Sequence, residues 1–244
     1  MDNVIVTGAS RGIGLAIAER LVRDGFRVVA VARRNSEALT AAAASLSERD
    51  SRVLTFWPMD LGEVEAFPIF VREVRERFGP IYGLVNNAGL GTAGVLATMP
   101  DAEIEALIRL NTLSPILLSK YAVRGMLAQG RGRVVNISSI VASTGFTALS
   151  VYAATKASLV GFTKSLAREV GRVGVTVNAI APGFIDTEMT GGLAGSDRDR
   201  VAGRSALRRL AAPEDIAAMA ALLVGESGRN ITGAVMTVDA GGTA

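Results

Sequence analysis

Val4-Ile5-Val6-Thr7-Gly8-Ala9-Ser10-Arg11-Gly12-Ile13-Gly14 lies at the start of the chain, and it decides the fold. A short β-branched run feeds a loop with glycines spaced G-x-x-x-G-x-G, and a helical pattern follows over about 12–24. Glycines let a backbone turn tightly and approach a pyrophosphate, whose charge the N-terminus of the next helix favours. Such a loop alone is weak evidence. After a strand, before a helix and at the head of an alternating chain it is specific.

The alternation continues outward from that loop. Apolar runs at 28–31, 53–56, 82–85, 134–137, 175–178 and 235–238 read as six more strands after 4–6. They are short and apolar on both faces, as strands of a buried parallel sheet are. Helical patterns lie between them near 36–49, 63–77, 101–128, 151–171 and 213–225. Pro213-Glu214-Asp215 places Pro and acids in a helix first turn. The expected fold is α/β: a single-domain, doubly wound, Rossmann-like sheet of seven parallel strands with helices on both faces. No linker or repeat divides residues 1–244. The least regular stretch, 184–206, is rich in Gly and charge and reads as a mobile substrate loop or an ordinary solvated one.

Composition narrows the chemistry. The 244 residues contain no His and no Cys. That removes Ser-His-Asp and Cys-His catalysis, Cys/His zinc sites, disulfides and iron–sulfur clusters. No metal site is expected, and acid/base work falls to Tyr, Lys, Asp or Glu. The pI near 9.7 accompanies a net charge of only +3, with no dense basic run interleaved with aromatics, so nucleic acid is not an expected partner. The first apolar segment begins at Asn3 and no run suggests a membrane span, so a soluble, cytoplasmic protein is expected.

The second strand ends Val31-Ala32-Arg33-Arg34. Sites for NAD usually place an acid there for the ribose 2′-hydroxyl, whereas Arg accommodates a 2′-phosphate. Ala32 supplies no carboxylate. Arg33 supplies a guanidinium, and Arg11 in the glycine loop offers a second, so the cofactor is read as NADP(H). Asp60 either accepts a hydrogen bond from the adenine amine or caps the helix after it.

Tyr152 and Lys156 stand out by scarcity. The chain has three Tyr, and only Lys120, Lys156 and Lys164 among its 26 basic residues. At i and i+4 the two share a helix face. An ammonium ~4 Å from a phenolate at an effective dielectric of ~20 favours it by about 4 kcal/mol, roughly three pKa units. On that basis Lys156 is expected to lower the Tyr152 pKa towards neutrality and make it a usable proton donor and acceptor.

Taken together, these motifs resemble those of the short-chain dehydrogenase/reductase superfamily over nearly the whole chain. Thr7 to Gly14 resembles its cofactor loop, and Asn86-Asn87-Ala88-Gly89 its motif after the fourth strand. Ser139 precedes Tyr152 by thirteen residues, the family's spacing to Tyr-x-x-x-Lys, and Pro182-Gly183 followed by Thr187 is similar to its nicotinamide segment. The resemblance implies a cofactor site of Gly8, Ser10, Arg11, Gly12, Ile13, Gly14, Arg33, Asp60, Leu61, Asn87, Ala88, Gly89, Tyr152, Lys156, Pro182, Gly183, Ile185 and Thr187. It implies that Tyr152 exchanges a proton with the substrate oxygen and that Ser139 hydrogen-bonds the carbonyl. It implies further that Lys156 also holds the nicotinamide ribose and that Asn111 completes a water relay. Pro115 lacks the N–H that would pair with the Asn111 carbonyl; it either keeps that carbonyl open for the relay or merely ends a helix.

Residues 178–190 and 162–169 are most similar to the 3-oxoacyl-acyl-carrier-protein reductases, which implies reduction of a 3-oxoacyl thioester and acyl-carrier protein as a possible partner. Dehydrogenation of a sugar, steroid or other secondary alcohol is the alternative, and a non-catalytic cofactor-binding regulator is an alternative of another class. Arg131, Arg133, Arg168 and Arg172 are candidate docking residues or scattered surface charges. Val141, Phe146, Leu149 and Phe184 are a candidate apolar pocket for the substrate. The helix from Tyr152 to Ala167 carries only two charges and several small residues, so one side is expected to meet a partner subunit. The resemblance makes that assembly a homotetramer.

Overall fold

The computed structural model describes residues 1–46, 53–185 and 195–244, apart from the side chains of 195–198. Seven strands form one sheet: β1 (Asn3–Thr7), β2 (Arg27–Ala32), β3 (Leu54–Pro58), β4 (Ile81–Asn86), β5 (Gly132–Ile137), β6 (Val175–Pro182) and β7 (Val235–Val238). Their order is β3-β2-β1-β4-β5-β6-β7, and every pairing is parallel. The chain winds outward from β1 to β3, then returns to β4 on the other side of β1. Strand order therefore reverses between β1 and β4, and a crevice opens at their C-terminal ends.

The helices are α1 (Gly12–Arg23), α2 (Glu37–Leu46), α3 (Phe67–Phe78), α4 (Asp101–Ile108), α5 (Ser114–Gln129), α6 (Ser150–Val170), α7 (Gly195–Arg204) and α8 (Pro213–Val224). Ile17, Leu21, Leu39 and the buried face of α8 pack on one side of the sheet. Phe67, Phe70, Leu118, Met126 and Val170 pack on the other. With both faces covered, β1, β4, β5 and β6 are buried along their whole lengths. That accounts for their largely apolar, β-branched composition. The first turn of α8 closes as its sequence suggests, the Asp215 carboxylate accepting the Ala212 N–H at 2.8 Å.

Two expectations change. The pattern at 101–128 is not one helix: a π-helical turn, Arg109–Leu113, separates α4 from α5 and carries Asn111. The region read as irregular, 184–206, contains α7, which has too few apolar residues to show a helical stripe; the stretch 186–194 lies outside the described residues.

Polar side chains run through the second half of the sheet. Asn86 Nδ2 donates to Ser119 Oγ at 3.0 Å and to Asn136 Oδ1 at 2.8 Å, and Asn136 Nδ2 donates to Thr163 Oγ1 at 2.9 Å. All four residues are buried. Asn136→Ala leaves Asn86 and Thr163 each short of a partner, and a buried unsatisfied polar group costs ~1–3 kcal/mol. The expected loss in urea unfolding is about 2–3 kcal/mol without a change of m-value.

Candidate active site

The C-terminal ends of the strands bring the candidate residues together. Gly8 follows β1, Arg33 follows β2, Asp60 lies past β3, Asn87 follows β4, Ser139 lies past β5 and Gly183 follows β6. Gly8 and Gly12 adopt φ of +66° and +55°, the left-handed region that a Cβ disfavours. At Gly14 a Cβ would sit 2.3 Å from the Gly8 carbonyl oxygen and 2.5 Å from Asn87 Nδ2. Thr7, buried beneath this loop, locks it to β4: its Oγ1 donates to the Val85 carbonyl and accepts the N–H groups of Asn87 and Ala88 at 2.9 and 3.0 Å. Asn87 Nδ2 in turn donates to the Thr7 carbonyl at 2.9 Å. The N-terminus of α1 has no side-chain cap, which leaves its first N–H groups facing the crevice mouth as an anion site. A narrow cradle with glycine at 8, 12 and 14, below an uncapped helix, fits a pyrophosphate.

Arg33 and Arg34 are exposed, and among the described residues no carboxylate pairs with Arg33. Ser36 Oγ donates to the Ser10 carbonyl, and Leu39 N–H donates to Ser36 Oγ, so α2 and Arg33 are held beside the glycine loop. Asp60 Oδ1 accepts the Gly62 N–H at 2.8 Å, closing the turn after β3, while Leu61 is buried. Ile185 is buried and bridges to Ala211. Gly183 donates to the Val238 carbonyl at 3.0 Å, and a Cβ on it would meet Asp239 Cβ at 2.5 Å. Thr187 lies outside the described residues.

Tyr152 sits in the first turn of α6, and Lys156 one turn further in. Lys156 is 4% exposed; its Nζ donates to the Ile137 carbonyl at 2.9 Å and lies 5.7 Å from the Tyr152 ring centroid. Gly89 closes on the same point: a Cβ there would be 3.2 Å from Asn111 Oδ1 and 3.4 Å from Lys156 Nζ. Asn111 is buried, accepts the Leu90 N–H at 2.8 Å, and donates through Nδ2 to the Leu90 carbonyl at 2.8 Å and to Thr155 Oγ1 at 3.2 Å. Thr155 Oγ1 donates to the Tyr152 carbonyl at 2.7 Å. The side chain of Asn111 thus ties the loop after β4 to the turn that carries Tyr152. Pro115, in the first turn of α5, leaves the Asn111 carbonyl without an α-register donor.

The protonation balance differs from the sequence expectation. Burial is the largest influence on Tyr152 and raises its pKa; a hydrogen bond with Ser139 pulls it down but does not win. Burial also draws Lys156 down to about 8, so the lysine loses its charge just where the phenol would need it. Desolvation of both groups opposes the coupling expected from their spacing.

Two hydroxyls escaped the sequence reading. Ser138 Oγ donates to the Lys156 carbonyl at 2.8 Å and pins α6 to β5; it was visible only as the first of a Ser pair. Thr155 lies three residues after Tyr152, a spacing at which a hydroxyl can reach back to a helix carbonyl. Of the four arginines considered for docking, Arg131 and Arg133 lie at the start of β5 and Arg168 and Arg172 at the end of α6. Within the chain all four are at the opposite end of the sheet from Tyr152. Arg131 pairs with Asp2 at 2.6 Å, and Arg133 is buried over the Tyr82 ring.

A strand-order crevice, a glycine cradle and a Ser-Tyr-Lys cluster at one sheet edge define a dinucleotide-binding oxidoreductase. Residues 2–197 match the family model described as short chain dehydrogenase. The chain is 39% identical over 238 residues to the 3-oxoacyl-(acyl-carrier-protein) reductase FabG of Vibrio harveyi, covering 97% of this chain and 95% of that protein. It is 38% identical to the Escherichia coli enzyme of the same name over 237 residues, with the same two coverages. A short chain dehydrogenase from Burkholderia cenocepacia, solved in complex with NADP, superposes with a TM-score of 0.91 at 35% identity, covering 100% of this chain and 98% of that one. A Serratia marcescens short-chain dehydrogenase/reductase gives 0.92 at 33% identity and the same coverages. The chain belongs to the short-chain dehydrogenase family.

Lys156 has a signature in stability. Its value falls from an ordinary 10.5 to about 8 on folding, so between those limits the unfolded chain binds more protons and stability rises with pH, by up to ~1.4 kcal/mol per unit. Below pH 8 the full cost of the buried ammonium is present. With no His or Cys in the chain, few other groups titrate there. Thermal midpoints between pH 7.5 and 9.5 are expected to rise in the wild type and to lose that rise in Lys156→Met.

Proposed function

We propose that the protein is an NADP(H)-dependent reductase of carbonyl groups, and that its substrate is a 3-oxoacyl thioester reduced to the 3-hydroxyacyl form. The single observation that carries the reading is the convergence of Ser139, Tyr152, Lys156 and Asn111 beside the glycine cradle. The nicotinamide supplies the hydride. Gly8, Gly12, Gly14 and the N-terminus of α1 receive the pyrophosphate, with Ser10, Ile13 and Asn87 beside it. Arg33, aided by Arg11, receives the 2′-phosphate. Asp60, Leu61 and Ala88 line the adenosine side, and Gly89 lies beside Lys156. Pro182, Gly183 and Ile185 bound the nicotinamide.

The chain's own chemistry then concerns one oxygen. Hydride addition to a carbonyl leaves charge developing on that atom, which donors placed there stabilise. Ser139 and Tyr152 are those donors. Burial keeps the Tyr152 phenol protonated at neutral pH, the form a proton donor needs. Lys156 holds the cofactor ribose and offers its positive charge to the phenolate as that forms. Asn111, fixed by Leu90 and Thr155, supplies the next station for the proton.

The similarity to the FabG reductases supports the thioester, and with it acyl-carrier protein as the carrier and a cytoplasmic location. No helix among the described residues is long and apolar enough to cross a membrane. Two apolar clefts support a homotetramer. One, about 380 Å³, lies between α4 and α6 and is lined by Leu96, Ile104, Ile108, Val151 and Ala154. The other, about 420 Å³, lies along α8 and β7. Sedimentation at micromolar concentration is expected to show four chains.

The test follows NADPH absorbance with acetoacetyl thioesters against free ketones and sugars. Turnover is expected with the thioester and not with sugars. Tyr152→Phe is expected to lower kcat by at least ~10³-fold with NADPH binding retained. Arg33→Ala is expected to raise KM for NADPH at least ~10-fold while leaving KM for NADH within ~2-fold.

A further inference from the structure

The loops that follow β4, β5 and β6, the strands whose ends carry the site, bear the apolar side chains Leu90, Phe146 and Phe184. Phe146 lies on the connection between Ser139 and Tyr152, and Phe184 two residues beyond the end of β6. Their rings meet edge to face, 5.9 Å between centroids at 75°. Phe146 is nonetheless 38% exposed, and Leu90, on the loop after β4, is 39% exposed. Exposed rings on a mobile surface loop would carry no consequence, but this loop is held. Ala148 adopts φ of +64°, a left-handed conformation disfavoured for a residue with a Cβ. Its carbonyl accepts the Gly94 N–H at 2.9 Å, and Leu149 N–H donates to the Phe146 carbonyl at 3.3 Å. The loops at 90–94 and 146–149 are thereby tied together across the entrance, with Phe146, Leu149 and Leu90 on the tied segments. Backbone strain kept in place at a site entrance is a mark of positioning.

We infer that Phe146, backed by Phe184, is a specificity-determining residue: an apolar shelf on which the part of the substrate beyond the reacting carbonyl lies. The inference rests on the carbonyl-reductase reading above and deepens it. The class it selects is a ketone or 3-oxoacyl compound with an extended aliphatic arm. A sugar would place hydroxyls against Leu90, Phe146 and Leu149, which offer only apolar side-chain surface. Each methylene laid on the ring removes further apolar area from water, so the advantage grows with arm length.

The experiment measures kcat/KM with NADPH for N-acetylcysteamine thioesters of 3-oxo acids of four, six, eight and ten carbons. A parallel arm uses unbranched 2-alkanones of the same lengths. In the wild type kcat/KM is expected to rise with length. Phe146→Ala is expected to lower it about 3-fold at four carbons and about 30-fold at ten, flattening the slope. Phe146→Leu, which keeps most of the apolar area, is expected to restore most of the slope. Should Phe146→Ala lower the thermal midpoint, Phe184→Ala probes the same slope from the other wall. An equal loss at every length would overturn the shelf by making Phe146 merely structural. A gain that grows with length would overturn it by making the ring a gate. If the thioesters are not reduced but the alkanones are, with the expected change of slope, the shelf stands and the thioester assignment fails.

Discussion

The Lys156 ammonium, enclosed between α6 and the end of β5, is the group the surrounding structure has to accommodate. A buried charge is costly unless hydrogen-bonded. One bond, to the Ile137 carbonyl, is supplied by the strand end itself, and the remaining approach is crowded by Gly89 and Asn111. This explains several neighbours at once. A side chain at Gly89 would press on Asn111 Oδ1 and lie in contact with Lys156 Nζ. Ser138 holds the Lys156 backbone down so that the side chain reaches the strand end. Burial shifts the lysine to about 8, so its charge at neutral pH is held close to the point of release.

Such a group needs a rigid floor, and the sheet supplies one through polar rather than apolar contacts. Asn86 and Asn136 sit opposite each other in the β4–β5 register, and their side chains bond across it and on to α6 through Thr163. A one-residue slip of β5 would break both bonds, a constraint that interchangeable valines cannot impose. Thr7 serves the other half in the same way, joining the glycine loop to the segment after β4. The two halves of the crevice are therefore aligned by a handful of directional bonds beneath it, while the apolar clusters on either face supply bulk stability.

How much of this the sequence discloses depends on whether the signal is local. All seven strands and the cofactor loop were legible because β-branched runs and glycine spacing are short-range features, and the strand ends alone bring Gly8, Asn87, Ser139 and Gly183 together. The break at Arg109–Leu113 was not, since a π turn inserts a residue without altering the apolar pattern on either side. Helix α7 was hidden because its sequence is nearly all polar. The sign of the Tyr152 shift was misjudged because desolvation depends on how much of the fold covers α6, a quantity no i to i+4 spacing contains. The same limitation misplaced the four arginines, which are close to Tyr152 in number but lie at the far end of the strands and of α6.

The upward shift of Tyr152 decides which form of the phenol is populated at rest. A phenol already ionised near neutrality would stand ready as a base. A phenol held protonated by burial is ready to donate, and its hydrogen bond from the Ser139 side lowers the cost of the phenolate only as the proton leaves. Burial favours the neutral form of both groups, raising the phenol and lowering the lysine to about 8. In a chain without histidine, the acid/base role proposed for this site falls to two of its scarcest side chains, a phenol and an amine one helical turn apart.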